Sequence, residues 1–578
     1  MRDAIREALI RRTSARLFLI PILAAAAAGA CGGNGTSTTQ GTGGDGAGGA
    51  KSTSSSSGVG GGGAEIGFGG NPNQGPFADF PADPILDTPE GGAAPPSDSG
   101  TIFGAAGSGD PSTGPCLVEP EPGTLFPRNW VRPRFRWTAP PEQSLFELRI
   151  KAAKETNELV VYTTGTQWKM PKDMWDKLTT HLEDAPMTVT IRGAQLDQGT
   201  IVGQPGLGTS GDITIAPADA AGTIVYWRTV SSSNSGQLKG FSAADENVAL
   251  ALESSQVQVK PGGKSVTCVG CHASTPDGKF AAFKTLNGTS GGALASLEQA
   301  TTGKPPDYWS MASIDAMNDG QFGVPTFSKG HWQSGDRTLL TSWGNGSSAK
   351  LAWFDLEATS SAEGTAFGFL ARDQDTRGGI MPNFSHDGQT VLYISTNGST
   401  DGRPTNSDSD LYTIPYANRA GGAAKPVDGA ADPAYNEYYP AYAPDDALIA
   451  YNRVGAGQNT YDEPSAEVFV IPAGGGTPTR LAANDPIACS GRTSPGVTNS
   501  WPKWAPEAVK VGDRTFYWIA FSSKRAGSVP QLYMTAVVTK GSEVQTYPAL
   551  YMWAQPSDEA NHTPAWDVFQ IPPTPPPQ

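Results

Sequence analysis

Cysteine and histidine are scarce in this chain, with five of each among 578 residues. Charged residues make up only 17%, and the net charge of −15 comes without a basic stripe. Nucleic acid is therefore excluded as a partner, and the acidic surface reads mainly as a solubility feature. No H-E-x-x-H pair is present to hold a catalytic zinc, and no serine-hydrolase elbow is read, so nothing assigns an enzyme. The apolar run Leu17–Ala30 is too short for a good transmembrane helix. Glycine (71) and proline (48), by contrast, are abundant. That balance suits β-structure with many turns, plus some unstructured sequence.

The first residues read as an export signal. A basic start, "MRDAIREALIRRTSAR", precedes "LFLIPILAAAAAGA" and then Cys31. Ala28-Gly29-Ala30-Cys31 resembles the lipobox of bacterial lipoproteins. The resemblance implies a signal peptide over 1–30, lipid on the Cys31 sulfur and residence at the outer membrane or its periplasmic face. The alternative is ordinary signal cleavage with Cys31 incidental. Residues 31–115 are poor in anything to bury and are expected to be a disordered Gly/Ser-rich tether. In an oxidising compartment free thiols rarely persist. Cys116, Cys268, Cys271 and Cys489 allow three pairings, and a Cys116–Cys489 disulfide clamping two domains together is one of them.

From Cys116 to residue 219 short alternating runs appear, among them "LFELRIKA", "ELVVYTT" and "MTVTIRGAQL". Period-two alternation at this spacing predicts a small β-sandwich similar to fibronectin or immunoglobulin modules. "PKDMWDKLTTHL" predicts one helix at its edge, with His181 at the surface.

From residue 220 to 571 the chain repeats. The unit is a proline, one residue, an aromatic and a small residue: "VPTFS", "MPNFS", "YPAYA", "WPKWA" and "TPAWD". Several copies run on into a tight turn and an apolar strand, as in "SHDGQTVLYIS". "STPDGKFAAF" aligns on the same turn, placing Cys271 opposite Met381 and His272 opposite Pro382. Unit starts then fall at 271, 324, 381, 439, 501 and 563. This period predicts an all-β fold dominated by a six-bladed β-propeller, four strands to a blade. The last unit is too short for a blade, so "AGTIVYWRTV" and "GQLKGFSAADENVALALE" should complete it and close the ring. "TPDGKFAAF", "SHDGQTVLY" and "FSSKR" together resemble the TolB-like propellers. Residues 572–578 are a Pro-rich tail.

"CVGCH" interrupts this pattern. Two cysteines three apart followed by histidine can bond the vinyl groups of a porphyrin and place an imidazole on its iron. Cys268, Cys271 and His272 therefore predict one covalent haem c, with His272 proximal. A small-loop disulfide or redox dithiol with an incidental histidine is the alternative. Distal candidates are His562 first, from the blade next round the ring, then Met381, then Met311. His331 and His386 read as solvent-exposed turn tips. The chain thus reads as an envelope-anchored haem propeller for electron transfer with an unidentified redox partner. The other reading is a haem-free TolB-like propeller that binds envelope proteins or acts as a scaffold.

Overall fold

The computed structural model describes residues 75–573 apart from 231–232, 259–265, 267, 286–290, 319–321, 401–402 and 406–407. The expected signal peptide, Cys31 and most of the tether lie outside the described residues. The tether's last part does not: residues 75–115 belong to the folded molecule, which corrects the expected boundary at 116. Ile85–Asp87 adds a parallel strand beside Leu159–Thr163, and Phe80 and Phe103 are buried. The Arg192 guanidinium donates to the carbonyls of Phe103, Ala105 and Ser108, while its Nε donates to Glu147. Few apolar residues suffice here because they land on a sheet already built and need no core of their own.

The β-sandwich follows. One sheet runs Ile85–Asp87, Leu159–Thr163, Leu145–Ala152, Met187–Ala194, Gly206–Ile215, Leu125–Phe126; the other holds Cys116–Glu119, Arg134–Thr138 and Gln167–Lys169. Alternation along the strands turns Phe146, Leu148 and Ile150 toward Phe135, Trp137 and Trp168 in one core. The helix is Lys172–His181, with Met174, Trp175 and Leu178 buried. His181, expected at the surface, is partly exposed there, with its Nδ1 2.6 Å from the Asp79 carboxylate and its ring stacked on Phe77 at 4.0 Å. Both partners come from the segment read as tether.

Six blades make the propeller. The sixth is the closure predicted from sequence: its inner strand, Ala560–Asp567, pairs with Thr223–Val230, which continues into Ser233–Ser242 and Ala249–Glu253. The first blade departs from four strands. Among the described residues it has three, Ala273–Ser274, Phe280–Lys284 and Gly292–Ser296. The helix Met311–Asn318 packs against Gly292–Ser296 and against Lys350–Asp355 of the second blade. The shared turn needs its glycine. The Gly278 N–H donates to Thr275 and the Gly388 N–H to Ser385, and both glycines take left-handed φ values of 75° and 72°.

The sandwich docks on the propeller. Phe126, Trp130 and Trp175 share one core with Ile224, Tyr226 and Trp566 of the sixth blade and Phe516, Trp518 and Met534 of the fifth. Cys116 and Cys489 are bonded, spanning 373 residues. Arg525 donates to Glu121 across the buried junction at 3.2 Å, and the Tyr551 N–H donates to Glu119. Burial pushes the Glu119 carboxyl up to about 8 and the Glu121 carboxyl to about 7.

Candidate functional site

The repeat proline decides the geometry at the propeller axis. Proline donates no N–H to a ladder, so an inner strand that carries one must bulge. In the third, fourth, fifth and sixth blades the pairing slips at that point, so Met381-Pro382, Tyr439-Pro440, Trp501-Pro502 and Thr563-Pro564 each oppose a single residue of the next strand. The residue before each proline turns left-handed: Met381 φ 49°, Tyr439 53°, Trp501 63°, Thr563 48°. Cys271 does the same at 54°, with His272 standing where the others have proline. Val324 of the second blade is not among the positive-φ residues. The alignment of Cys271 with Met381 is thus a shared backbone conformation.

These bulges bring side chains together. Cys271, Val324, Met381, Tyr439 and Trp501 fall into one apolar cluster, with the Tyr439 and Trp501 rings 4.1 Å apart. Of the three distal candidates, Met381 therefore shares a cluster with Cys271. His562 sits one residue before the sixth bulge and packs edge-on against Trp227 at 4.7 Å. Burial depresses its imidazole to about 4, so it is neutral. Met311 is ruled out by position: it starts the helix between the first two blades and is 47% exposed, at the rim rather than the axis.

Cys268, Cys271 and His272 are all buried. The His272 Nε2–H donates to the Val225 carbonyl of the sixth blade at 3.1 Å. Its Nδ1 is buried without a partner. Burial holds this imidazole, too, near 4 and neutral. The donor set suits covalent haem in kind: two sulfurs three residues apart and a neutral imidazole. Two of the three groups are otherwise engaged, His272 at Val225 and Cys268 in a disulfide. Among the described residues no group of three or more His, Cys, Asp or Glu could hold a metal ion.

On one side of the cluster lies an open cavity of about 160 Å³. His272, Met381, Tyr439 and Trp501 line it, as do Lys503 and Trp504 farther along the Trp501 strand and Asp567 at the end of the sixth blade's inner strand. Cys268 and His562 do not line it. Sequence reasoning missed Lys503, although the residue between proline and aromatic in "WPKWA" is the one lysine at that repeat position.

The remaining histidines differ from their expected exposure. His331 Nε2–H donates to the Gly388 carbonyl of the third blade at 2.8 Å, and its side chain is only 18% exposed. His386 pairs with Asp446 of the fourth blade at 2.8 Å. Turn tips of neighbouring blades interlock, so neither is a free tip. The letters Gly288-Thr-Ser-Gly-Gly292 do spell G-x-S-x-G, and their first three residues lie outside the described residues; the described strands on either side, Phe280–Lys284 and Gly292–Ser296, pair antiparallel.

No protein-family model matches the sequence, and no curated protein does. Solved structures resemble it in fold at low identity. Hydrazine synthase from Kuenenia stuttgartiensis is 15% identical, with 50% of this chain and 70% of that chain covered at a TM-score of 0.28. Prolyl oligopeptidase B from Galerina marginata is 10% identical, with 56% and 50% covered and a TM-score of 0.27. The GH43 endo-arabinanase from Bacillus licheniformis is 11% identical, with 45% and 93% covered and a TM-score of 0.24.

Proposed function

We propose that this chain is an exported, lipid-anchored propeller that carries one covalent haem c on Cys268 and Cys271, with His272 as proximal ligand, and moves single electrons to or from an envelope partner. The observation that supports this reading is the Cys-x-x-Cys-His set on the axial bulge of the first blade, with all three side chains buried. Bound there, haem would supply one-electron chemistry. The protein would shield it from water, keep His272 neutral, and offer Met381 or His562 as a second ligand. Thioether attachment needs both sulfurs as thiols and His272 Nε2 free of Val225.

The test is haem staining of the full chain on a denaturing gel, from a strain that matures c-type cytochromes. A stained band that disappears in Cys271→Ala is expected; no stain overturns the reading. In stained protein, loss of a six-coordinate low-spin spectrum in His562→Ala or in Met381→Ala would name the distal ligand.

A second reading is favoured by the His272–Val225 hydrogen bond, which joins the first blade to the sixth without any cofactor. It is a TolB-like binding or scaffold propeller without haem; the small-loop Cys268–Cys271 disulfide expected with that reading is not formed, since Cys271 is not disulfide-bonded. It predicts unstained protein whose Cys268→Ser/Cys271→Ser form still folds and retains its partner.

A further inference from the structure

The cavity on the axis holds charge that the fold does not use. Lys503, on the fifth blade's inner strand, lines it together with Tyr439 and Trp501. Its amine makes no hydrogen bond or ion pair among the described residues, and burial lowers it to about 8. Asp567, on the adjacent strand, attracts it electrostatically but is not within ion-pair distance, and its own hydrogen bond comes from the Val568 N–H. Lys329 stands at the same mouth, and His386, also there, is already committed to Asp446. The mouth thus offers two uncommitted cations against one carboxylate, on a chain whose net charge is −15. An unpaired, largely buried ammonium is costly unless something answers it, and a concave site with converging polar groups beside aromatic side chains is the usual form of a small-molecule site.

We infer that the channel mouth binds a small organic carboxylate with an apolar, ring-sized body. The carboxylate would lie on Lys503, with the ring against Tyr439 and Trp501. Asp567 would limit the site to one anionic group and disfavour polyanions. The cavity is shared with the haem reading through His272 and Met381, which also line it, but the inference needs neither Cys268 nor His562, and its titration is read separately from the haem stain.

The experiment is isothermal titration of the full chain with 3-phenylpropionate and benzoate, each against its uncharged amide. The acids should bind at least tenfold more tightly than the amides at pH 7. Lys503→Met should remove that preference. Wild-type affinity for the acids should fall as pH rises through 8 and the amine loses its proton, while amide binding stays flat. The pH series needs no variant, so the inference remains testable if Lys503→Met does not fold. Equal binding of acid and amide, no binding of any probe up to millimolar concentration, or an unchanged preference in a folded Lys503→Met protein would overturn it.

Discussion

His272 ties two blades together through one hydrogen bond to Val225, and its cost of loss can be estimated. Removing a donor from a buried carbonyl costs about 1–3 kcal/mol. His272→Ala should therefore lower the free energy of unfolding by at least that much in a denaturant titration. The same residue carries a pH signature. His272 and His562 are both held near 4 by burial, against about 6.5 in an unfolded chain. Between those values the unfolded chain binds more protons, so stability falls as pH drops from 6.5 toward 4 and is fully present above 6.5. His562→Phe should flatten this limb of the curve. Little of this was legible in the sequence. The letters Cys-x-x-Cys-His are the same whether the imidazole meets iron or a carbonyl, and Val225 lies 47 residues upstream. His331 and His386 looked exposed for a similar reason: each sits beside a local turn, but their partners, Gly388 and Asp446, arrive from the next blade.

At the scale of elements the repeat was readable because each of its signals is local. Proline favours the bulge, the aromatic that follows packs between blades, and Asp-Gly closes the turn. Four of the five proline-bearing unit starts share one left-handed conformation, and Cys271 adopts it without a proline. Val324 departs from it, and the first blade's shortened sheet was also hidden, since a helix in place of an outer strand leaves the inner-strand motif untouched. The turn glycine gives a direct test. A Cβ on Gly388 would sit 2.6 Å from Ser328 Oγ and 2.8 Å from the His331 ring, at a φ of 72°. Gly388→Ala should cost about 1–3 kcal/mol, from the left-handed backbone alone before the clash is counted. Thermal melts compared with Gly457→Ala, which has a similar φ of 78° and open space, would separate the two contributions.

For the whole molecule, one core runs from the sandwich through the fifth and sixth blades. Calorimetry should therefore show the sandwich melting together with those blades. A separate sandwich transition would mean the shared core contributes little. The Cys116–Cys489 bond closes a very long loop, and removing both cysteines should cost about 2–4 kcal/mol. The junction also opposes the histidine trend. Glu119 and Glu121 bind protons more tightly folded than unfolded, so they withdraw stability as pH rises from about 4.5 toward 8. Between pH 6.5 and 8, where the histidines are already neutral, Glu119→Gln/Glu121→Gln should flatten the decline. This docking was the least legible part of the chain: a disulfide among four cysteines could be named as one possibility, but a Phe80 or a Trp130 says nothing in sequence about which surface will cover it.

Ring closure also sets a schedule. The Trp566 indole donates to the Ala221 carbonyl across 345 residues, and the strand that carries it is the inner strand of a blade begun near residue 223. At about 5–20 residues per second, ribosomal synthesis separates the two by roughly 20–70 s. Throughout that interval Thr223–Val230 waits with one edge unpaired, next to a sandwich whose docking face is likewise incomplete. The nascent chain therefore has a long period of stickiness that ends only with its last strand, and its need for a holding chaperone should track the time taken to reach residue 567.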